Sequence, residues 1–474
     1  MATTPNILLL MTDQQRWDAM SCSGEKKKSA CGFSRVQTPH LDRIAGEGIR
    51  FTNCVTTSPV CIPTRLSLAT GLYPHNTHVW NNMNHQMPAE TPTWMQAVRD
   101  AGYRTSLFGK THLHPHNGDL REREDLMNAY GLDDVNEIGG PRASANVLSH
   151  MTAMWEEKGL WEGYRADYRE RFSTKPHLVR SSTLGLEDYA DVYVGQQAKQ
   201  YLQHYEREEP WCCWVSFGGP HEPWDTPEPY ASMYNPEDMP PAIPRPFMER
   251  RPTGHLDNLM QRMNPTFEPG EVGRLRANYA GNVTLIDDQI GEILDAIEAR
   301  GELENTIIVH TSDHGEMNGD YGLIYKSNFL NGAVRIPLLV RTPETSGLQT
   351  PPTGRICESP VEWLDIGPTL VELAGGELEH RQFGKSLCPV LTHPEATHRD
   401  FAISEIEGEI MLLNKEWKVA LNAEGEVYLL FNVQNDPNEI QNLAGRPEVA
   451  DVETALRLQI LERLMQTQLD KPFR

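Results

Sequence analysis

Uninterrupted apolar runs alternate along this chain with segments of helical spacing. A run that is apolar at consecutive positions is typical of a strand buried on both faces, as in a parallel sheet covered by helices. Such runs occupy residues 6–12, 102–108, 211–217 and 305–312. Helical spacing is found at residues 93–101, 188–206, 271–300 and 360–374. This alternation predicts an α/β fold with a large, mostly parallel sheet flanked by helices.

The pattern changes beyond about residue 395, where short strand candidates follow one another closely. They lie at residues 401–406, 409–422 and 426–433, before an amphipathic helix at 452–469. Such close spacing indicates an antiparallel sheet. We therefore expect a main α/β domain at residues 1–394 and a smaller C-terminal α+β subdomain, an antiparallel sheet plus a helix, at residues 395–474.

Two stretches of the main domain lack a clear period. Residues 113–185 are polar, and residues 225–270 are rich in proline, which excludes long helices and central strands. Irregular segments of this length often carry function. We expect both as excursions that line a substrate pocket.

Composition limits the partners and the location of the protein. The 474 residues include 43 basic and 66 acidic side chains, a formal net charge of −23. A chain this acidic is not expected to bind nucleic acid, and an anionic substrate would need local positive charge at its site. The first apolar run is too short for a membrane span or a signal peptide. We expect a cytoplasmic protein, or a periplasmic or secreted one if a leader has been removed.

One stretch concentrates the candidate chemistry. Cys61, Pro63 and Arg65 form a C-x-P-x-R pattern, and the helix-compatible residues after it end at Gly71. A strand predicted at residues 51–55 leads into it, so Cys61 would lie where a loop becomes a helix and backbone N–H groups suit an anion. A buried cysteine beside a turn proline is the alternative interpretation.

Other polar residues follow the apolar runs directly. They are Asp13 and Gln14, Lys110 and His112, His221, and Asp313 and His314. In an open α/β sheet, the carboxyl ends of the strands meet at one edge, where ligands collect. We expect these residues to gather there, and the carboxylates, amide and imidazole among them suit a divalent cation.

The segment Cys61-Ile-Pro-Thr-Arg65, continued by Leu-Ser-Leu-Ala-Thr-Gly71, resembles the motif of type I sulfatases of the alkaline phosphatase-like superfamily. Thr64 replaces the serine of many members, and further matches run from residue 6 to about residue 443. In that family the cysteine is oxidised to formylglycine. The resemblance implies a catalytic main domain that hydrolyses an organic sulfate monoester, with a sulfated small molecule or saccharide as substrate and a formylglycine-generating enzyme as maturation partner.

The same resemblance implies one divalent metal ion, Ca²⁺ or Mn²⁺. Its ligands would be Asp13, Gln14, residue 61, Asp313 and His314, with Gln14 either a ligand or a support behind the ligands. Many sulfatases have a second Asp after the first and an Asn after the later Asp. Gln14 and His314 instead resemble the choline sulfatase and phosphonate monoester hydrolase branches, and an imidazole ligand suits manganese better than calcium.

Roles for the remaining residues also come from the resemblance. Arg65 would hold the formylglycine hydrate, Lys110 and Lys326 would bind the sulfate oxygens, and Asn82 would add a donor. His112 would be the base that releases sulfate, and His221, helped by Lys326, the acid for the departing alcohol. The other histidines nearby are expected on the surface or in substrate loops: His78, His85, His114 and His116.

Two alternative functions stay open at this point. A phosphonate monoester or phosphodiester hydrolase could use the same fold, although the Lys110-x-His112 pair favours sulfate. A non-catalytic protein that binds sulfated glycans would keep Cys61 as a plain thiol.

Overall fold

The computed structural model describes residues 4–24, 33, 35–83, 85–175, 177–245, 254–262, 266–343, 353–393 and 395–470. Its strands are β1 (Asn6–Thr12), β2 (Ile49–Phe51), β3 (Cys54–Val55), β4 (Arg104–Gly109), β5 (Asp134–Glu137), β6 (Trp211–Ser216), β7 (Thr306–Ser312), β8 (Arg335–Ile336), β9 (Leu338–Arg341), β10 (Arg355–Cys357), β11 (Val361–Glu362), β12 (Phe401–Ile406), β13 (Glu409–Asn414), β14 (Trp417–Leu421) and β15 (Val427–Asn432).

The α-helices alternate with these strands through most of the chain. They are α1 (Pro39–Glu47), α2 (Cys61–Thr70), α3 (Pro74–Thr77), α4 (Trp94–Asp100), α5 (Glu124–Ala129), α6 (Gly140–Ser144), α7 (His150–Glu157), α8 (Trp161–Thr174), α9 (Ala190–Gln203), α10 (Gly254–Arg262), α11 (Glu271–Ala299), α12 (Asn331–Val334), α13 (Ile366–Leu373), α14 (Cys388–Thr392) and α15 (Ala450–Gln466). Among the described helices, none combines the length and apolar character that crossing a bilayer requires.

The largest sheet has, within the described residues, eight strands in the order β10-β2-β9-β7-β1-β6-β4-β5. β1 pairs in parallel with β6 and β7, and β4 pairs in parallel with β5 and β6. β9 runs antiparallel to its neighbours β2 and β7. The predicted large, mostly parallel sheet is confirmed.

Both faces of this sheet are buried, which explains the uninterrupted apolar runs. Leu9 of β1 belongs to one apolar cluster together with Trp94 of α4, whereas its neighbours Leu8 and Leu10 belong to another with Ile290 of α11. Successive strand side chains point to opposite faces, so a strand with helices on both sides needs apolar residues at every position.

The strand predicted at residues 51–55 is wrong, because the chain passes there from one sheet to another. β2 belongs to the main sheet, and β3 belongs to a sheet that comprises, in the described residues, β11, β3 and β8. Thr52 N donates to Cys357 O, and Val361 N donates to Asn53 O. The step between the sheets places β3 directly before the segment that leads to Cys61.

The smaller antiparallel sheet is confirmed, with one correction. In the C-terminal part that the structure describes, it has four strands in the order β12-β13-β14-β15. The single strand predicted at residues 409–422 is in fact β13 and β14. The turn between them forms because Asn414 Oδ1 accepts from Glu416 N at 2.9 Å and Trp417 N at 2.7 Å.

This C-terminal sheet packs on the main domain as well as on its own helix. Leu412 of β13 lies in a cluster with Leu456 of α15, whereas Met411 of the same strand lies in a cluster with Val55 of β3. Glu405 N donates to Thr57 O. The subdomain therefore contacts the segment between β3 and Cys61, and the domain boundary at residue 394 stays a prediction.

The first predicted excursion, residues 113–185, is partly sheet. β5 lies within it and forms the end of the main sheet beside β4, and helices α5 to α8 also belong to it. β5 reads Asp-Val-Asn-Glu, and Glu137 is its one fully buried residue, so it lacks the apolar pattern of the central strands. In the second stretch, residues 246–253 and 263–265 lie outside the described residues.

Candidate active site

The polar residues that follow the strands do gather at one edge of the sheet. Asp13 and Gln14 follow β1, Asp313 and His314 follow β7, and Lys110 follows β4. Their side chains contact one another there, together with Cys61, Arg65 and Lys326, as the distances below show. Because the four parallel strands β7, β1, β6 and β4 are adjacent, their carboxyl ends open onto a common site.

Cys61 is the first residue of α2, as predicted. The helix ends at Gly71, whose left-handed φ of 71° is the conformation that glycine adopts at little cost. The thiol is buried, with 1% of the residue exposed, and Sγ lies 3.1 Å from His314 Nε2. Burial alone would raise the pKa of the Cys61 thiol, but the charges on Lys326, Lys110 and His314 outweigh it and lower that pKa well below its usual value.

Arg65 holds two buried carboxylates together. Its Nε donates to Asp313 Oδ2 at 2.8 Å, and its NH2 group donates to Asp13 Oδ2 at 3.1 Å. The third arm of the guanidinium donates to Lys110 O at 2.7 Å. All three side chains that form these ion pairs are fully buried. Arg65 is therefore already occupied by Asp13, Asp313 and the backbone after β4.

Asp13 has one oxygen that these contacts leave open. Lys110 Nζ donates to Asp13 Oδ2 at 2.5 Å, whereas Oδ1 has no hydrogen-bond partner among the described residues. Burial tends to raise the pKa of Asp13, but Lys110, His221 and Arg65 lower it below its usual value. The carboxylate is thus ionised, with an unpaired oxygen facing the site.

His314 completes a set of atoms that fits a divalent cation. Its Nδ1 donates to Gly315 O at 3.0 Å, so in the neutral form of the ring Nε2 holds the lone pair that a metal ion needs. One ligand atom from each of Asp13, Cys61, Asp313 and His314 lies within 4.8 Å of all the others. The orphaned Asp13 oxygen and the oriented imidazole both match what a bound cation needs.

Gln14 and Lys326 form the next layer of the site. Gln14 has a left-handed φ of 72°, and its amide oxygen accepts a hydrogen bond from Lys326 Nζ. Its amide nitrogen donates to Glu222 Oε2 at 2.9 Å and to Glu316. Gln14 thus connects Lys326 to two buried carboxylates. This arrangement favours the interpretation of Gln14 as a support behind the metal ligands over its interpretation as a ligand.

His112 and His221 both lie close to this centre, His112 beside Cys61 and His221 near Asp13. Burial and the charge on Lys110 lower the pKa of His112 well below its usual value, and the ring interacts with the Cys61 side chain. Its Nδ1 has no hydrogen-bond partner in the described part of the chain. His221 Nδ1 donates to Glu222 O at 2.8 Å, which fixes that ring by a backbone contact.

Asn82 lies beside Cys61 through the first turn of α2. Its Oδ1 accepts a hydrogen bond from Ile62 N at 2.9 Å, which satisfies a backbone donor that the helix leaves free. The residue is exposed, as is its neighbour Asn81. The structure therefore distinguishes the two, because the contact with α2 is made by Asn82.

Several buried residues around the site were not predicted. Glu222 directly follows His221, and Glu316 follows Asp313-His314-Gly315. Burial and the neighbouring Glu222 raise the pKa of Glu316 to about 7. The only sequence signal was their adjacency to predicted site residues. His114, expected on the surface or in a substrate loop, lies in the loop after β4 and is fully buried against Glu137.

Comparisons with known proteins show the family to which this chain belongs. The sulfatase family model matches residues 5–376, and a model described as N-sulphoglucosamine sulphohydrolase, C-terminal, matches residues 319–467. A choline-sulfatase of Rhizobium meliloti is 30% identical over 94% of this chain and 83% of its own. PehA of Trinickia caryophylli, a multifunctional alkaline phosphatase superfamily protein, is 28% identical over 94% of this chain and 93% of its own.

A solved structure shares its fold with this protein over nearly the whole length of both chains. The phosphonate monoester hydrolase of Agrobacterium radiobacter has a TM-score of 0.75 and 24% identity, covering 98% of this chain and 96% of that one. The chain belongs to the sulfatase family. It is accordingly a sulfuric ester hydrolase with an alkaline phosphatase-like fold.

Replacing Arg65 should destabilise the protein strongly. In Arg65→Leu, Asp13 and Asp313 stay buried without the guanidinium, so we expect the free energy of unfolding to fall by about 3–5 kcal/mol. Urea unfolding in EDTA measures this without a contribution from bound metal. The matched control is Arg121→Leu, which removes a solvent-exposed ion pair with Asp119 and should change little. An equal loss in both variants would contradict the role given to Arg65.

Proposed function

We propose that this protein hydrolyses an organic sulfate monoester, of a sugar or another small alcohol, with a formylglycine made from Cys61. The observation that carries this proposal is the position of Cys61. Its thiol lies at the start of α2, 3.1 Å from His314 Nε2 and close enough to Lys326 and Lys110 for their charges to lower its pKa. Membership of the sulfatase family and the similarity to a choline-sulfatase support it.

Asp13, Asp313, His314 and residue 61 would hold one divalent cation. The imidazole favours a borderline ion such as Mn²⁺ over Ca²⁺, which prefers oxygen ligands throughout. When bound, this cation would supply Lewis-acid activation of the group at position 61. A formylglycine hydrate carries two hydroxyl groups on one carbon, so one can attack sulfur and the other can later lose its proton to release sulfate.

The cationic residues of the chain would bind and orient the sulfate. Enzymes lower barriers by about 8–23 kcal/mol, and one well-placed donor supplies roughly 3–4, so several must converge. With a thiol at position 61, burial would lower the pKa of Lys326, yet Cys61 and Glu222 raise it above its usual value. After conversion of Cys61, the carboxylates of Glu222, Asp13 and Asp313 still favour the charged amine. Lys110 and Asn82 would add further donors, while Arg65 positions the carboxylates.

Two histidines would move the protons. Because its pKa is low, His112 is neutral near pH 7 and can accept a proton at a ring nitrogen beside residue 61. His221 donates through Nδ1 to Glu222 O, which leaves Nε2 as the atom that would protonate the departing alcohol. A protonated leaving group is a better one, so this acid matters most for alcohols of high pKa.

A phosphonate monoester or phosphodiester hydrolase is the second candidate. It is favoured by Gln14 and His314 and by the overall likeness to a phosphonate monoester hydrolase. We expect wild-type protein to hydrolyse 4-nitrophenyl sulfate with a larger kcat/KM than 4-nitrophenyl phenylphosphonate. Release of 4-nitrophenol measures both rates, and Cys61→Ala gives the background. A preference for the phosphonate would favour the second candidate.

Conversion of Cys61 is the most direct test of the proposed chemistry. Peptide mass spectrometry of protein from its native host should show that residue 61 has lost one sulfur and two hydrogens and gained one oxygen. The unmodified peptides that carry Cys212 and Cys213 serve as internal controls, since both thiols are buried in the sheet. A plain thiol at position 61 would instead fit the non-catalytic binding protein.

Replacing His221 should affect poor leaving groups most. We expect His221→Gln to lower kcat/KM for an alkyl sulfate by roughly 10²–10⁴-fold, and to change 4-nitrophenyl sulfate much less because 4-nitrophenolate needs no proton. The control is His78→Gln, an exposed histidine of the same chain. An equal loss on both substrates would show that His221 positions the site rather than donating the proton.

A further inference from the structure

A second group of metal-binding side chains lies next to the candidate active site. His114 and His116 are in the loop after β4, and Glu137 is the last residue of the neighbouring strand β5. The side chains of all three are 2% exposed or less. One ligand atom from each lies within 4.8 Å of the others. None of the chemistry proposed above uses these residues.

The hydrogen bonds of the two rings fix which nitrogen carries a proton. His114 Nδ1 lies 3.1 Å from Pro115 O, and His116 Nδ1 lies 3.1 Å from Gly139 O. A carbonyl oxygen only accepts, so each Nδ1 is a donor. In a neutral ring Nε2 therefore holds a lone pair, and both Nε2 atoms face the carboxylate of Glu137.

Three potential ligand atoms converge in this arrangement. His114 Nε2 lies 2.8 Å from Glu137 Oε2, and His116 Nε2 lies 3.1 Å from Oε1. Each ring thus directs one nitrogen at the same buried carboxylate, and the two ring centroids are 5.4 Å apart. A single cation at this point would be held by all three side chains at once.

The surroundings match those of a bound transition metal. Ligating histidines typically donate their other N–H to a backbone carbonyl, and ligating carboxylates are themselves hydrogen-bonded. Both features are present, because Thr111 Oγ1 donates to Glu137 Oε1. Two histidines and one glutamate form a known zinc ligand set. Ligand atoms on one tetrahedral zinc lie roughly 3.3 Å apart, given bonds of about 2.0–2.1 Å, so a small outward movement accommodates the ion.

We propose that His114, His116 and Glu137 bind a second divalent metal ion, of the Zn²⁺ class, which fastens the loop after β4 to β5. This loop carries Lys110 and His112, and the His116 ring lies 4.4 Å from the His112 ring, centroid to centroid. The ion would thus hold the proposed base in place. Its role would be structural, because both rings direct their Nε2 atoms at Glu137 of the neighbouring strand.

The test compares metal content across three proteins: wild type, Glu137→Gln and His393→Ala. Each is stripped with EDTA, loaded with Zn²⁺ and dialysed, and bound zinc is measured by plasma mass spectrometry. We expect Glu137→Gln to bind one equivalent less than wild type. His393→Ala, which removes an exposed histidine, should match wild type. Equal zinc in wild type and Glu137→Gln would overturn the proposal.

A second readout does not require Glu137→Gln to fold. Asp313→Asn lacks a ligand of the site around Cys61, so Co²⁺ added to this variant should still give the visible absorption of a tetrahedral site. Adding His116→Gln to that variant should abolish the band. Absence of the band from Asp313→Asn would overturn the proposal, as would its persistence in the double variant.

Discussion

The attraction between Arg65 and two buried carboxylates is the constraint on which this centre depends. Asp13 and Asp313 come from the neighbouring strands β1 and β7, and two ionised carboxylates so close would repel each other in a dry interior. Arg65 cannot lose its proton, so its positive charge offsets the repulsion between the two carboxylates at any physiological pH. Because the same residue belongs to α2, this pairing also fixes the helix that begins with Cys61.

Local charge at the site opposes the charge of the whole molecule. The chain carries a net charge of −23, yet Arg65, Lys110 and Lys326 are all buried around Cys61. A distant anion therefore meets a repulsive field, and attraction begins only within the site, where the low dielectric strengthens each contact. Selection of an anionic group thus depends on contact geometry more than on long-range steering.

The sequence predicts the centre better than its surroundings, for a physical reason. Asp13 and Asp313 follow central strands that are apolar at every position, so both the strands and their ends can be recognised. Glu137 ends the edge strand β5 and is the one buried residue of that strand, so no period marks the strand. Likewise, the turn at Lys415 and Glu416 contains no glycine or proline, because an asparagine side chain forms it.

The contact between Thr57 and Glu405 has a consequence for the order of events during synthesis. A ribosome makes residue 57 long before residue 405, so the backbone leading to Cys61 lacks this restraint until most of the polypeptide has been translated. In the finished fold the thiol is 1% exposed, too little for another enzyme to reach. Any enzymatic oxidation of Cys61 therefore belongs to a chain that has not yet finished folding.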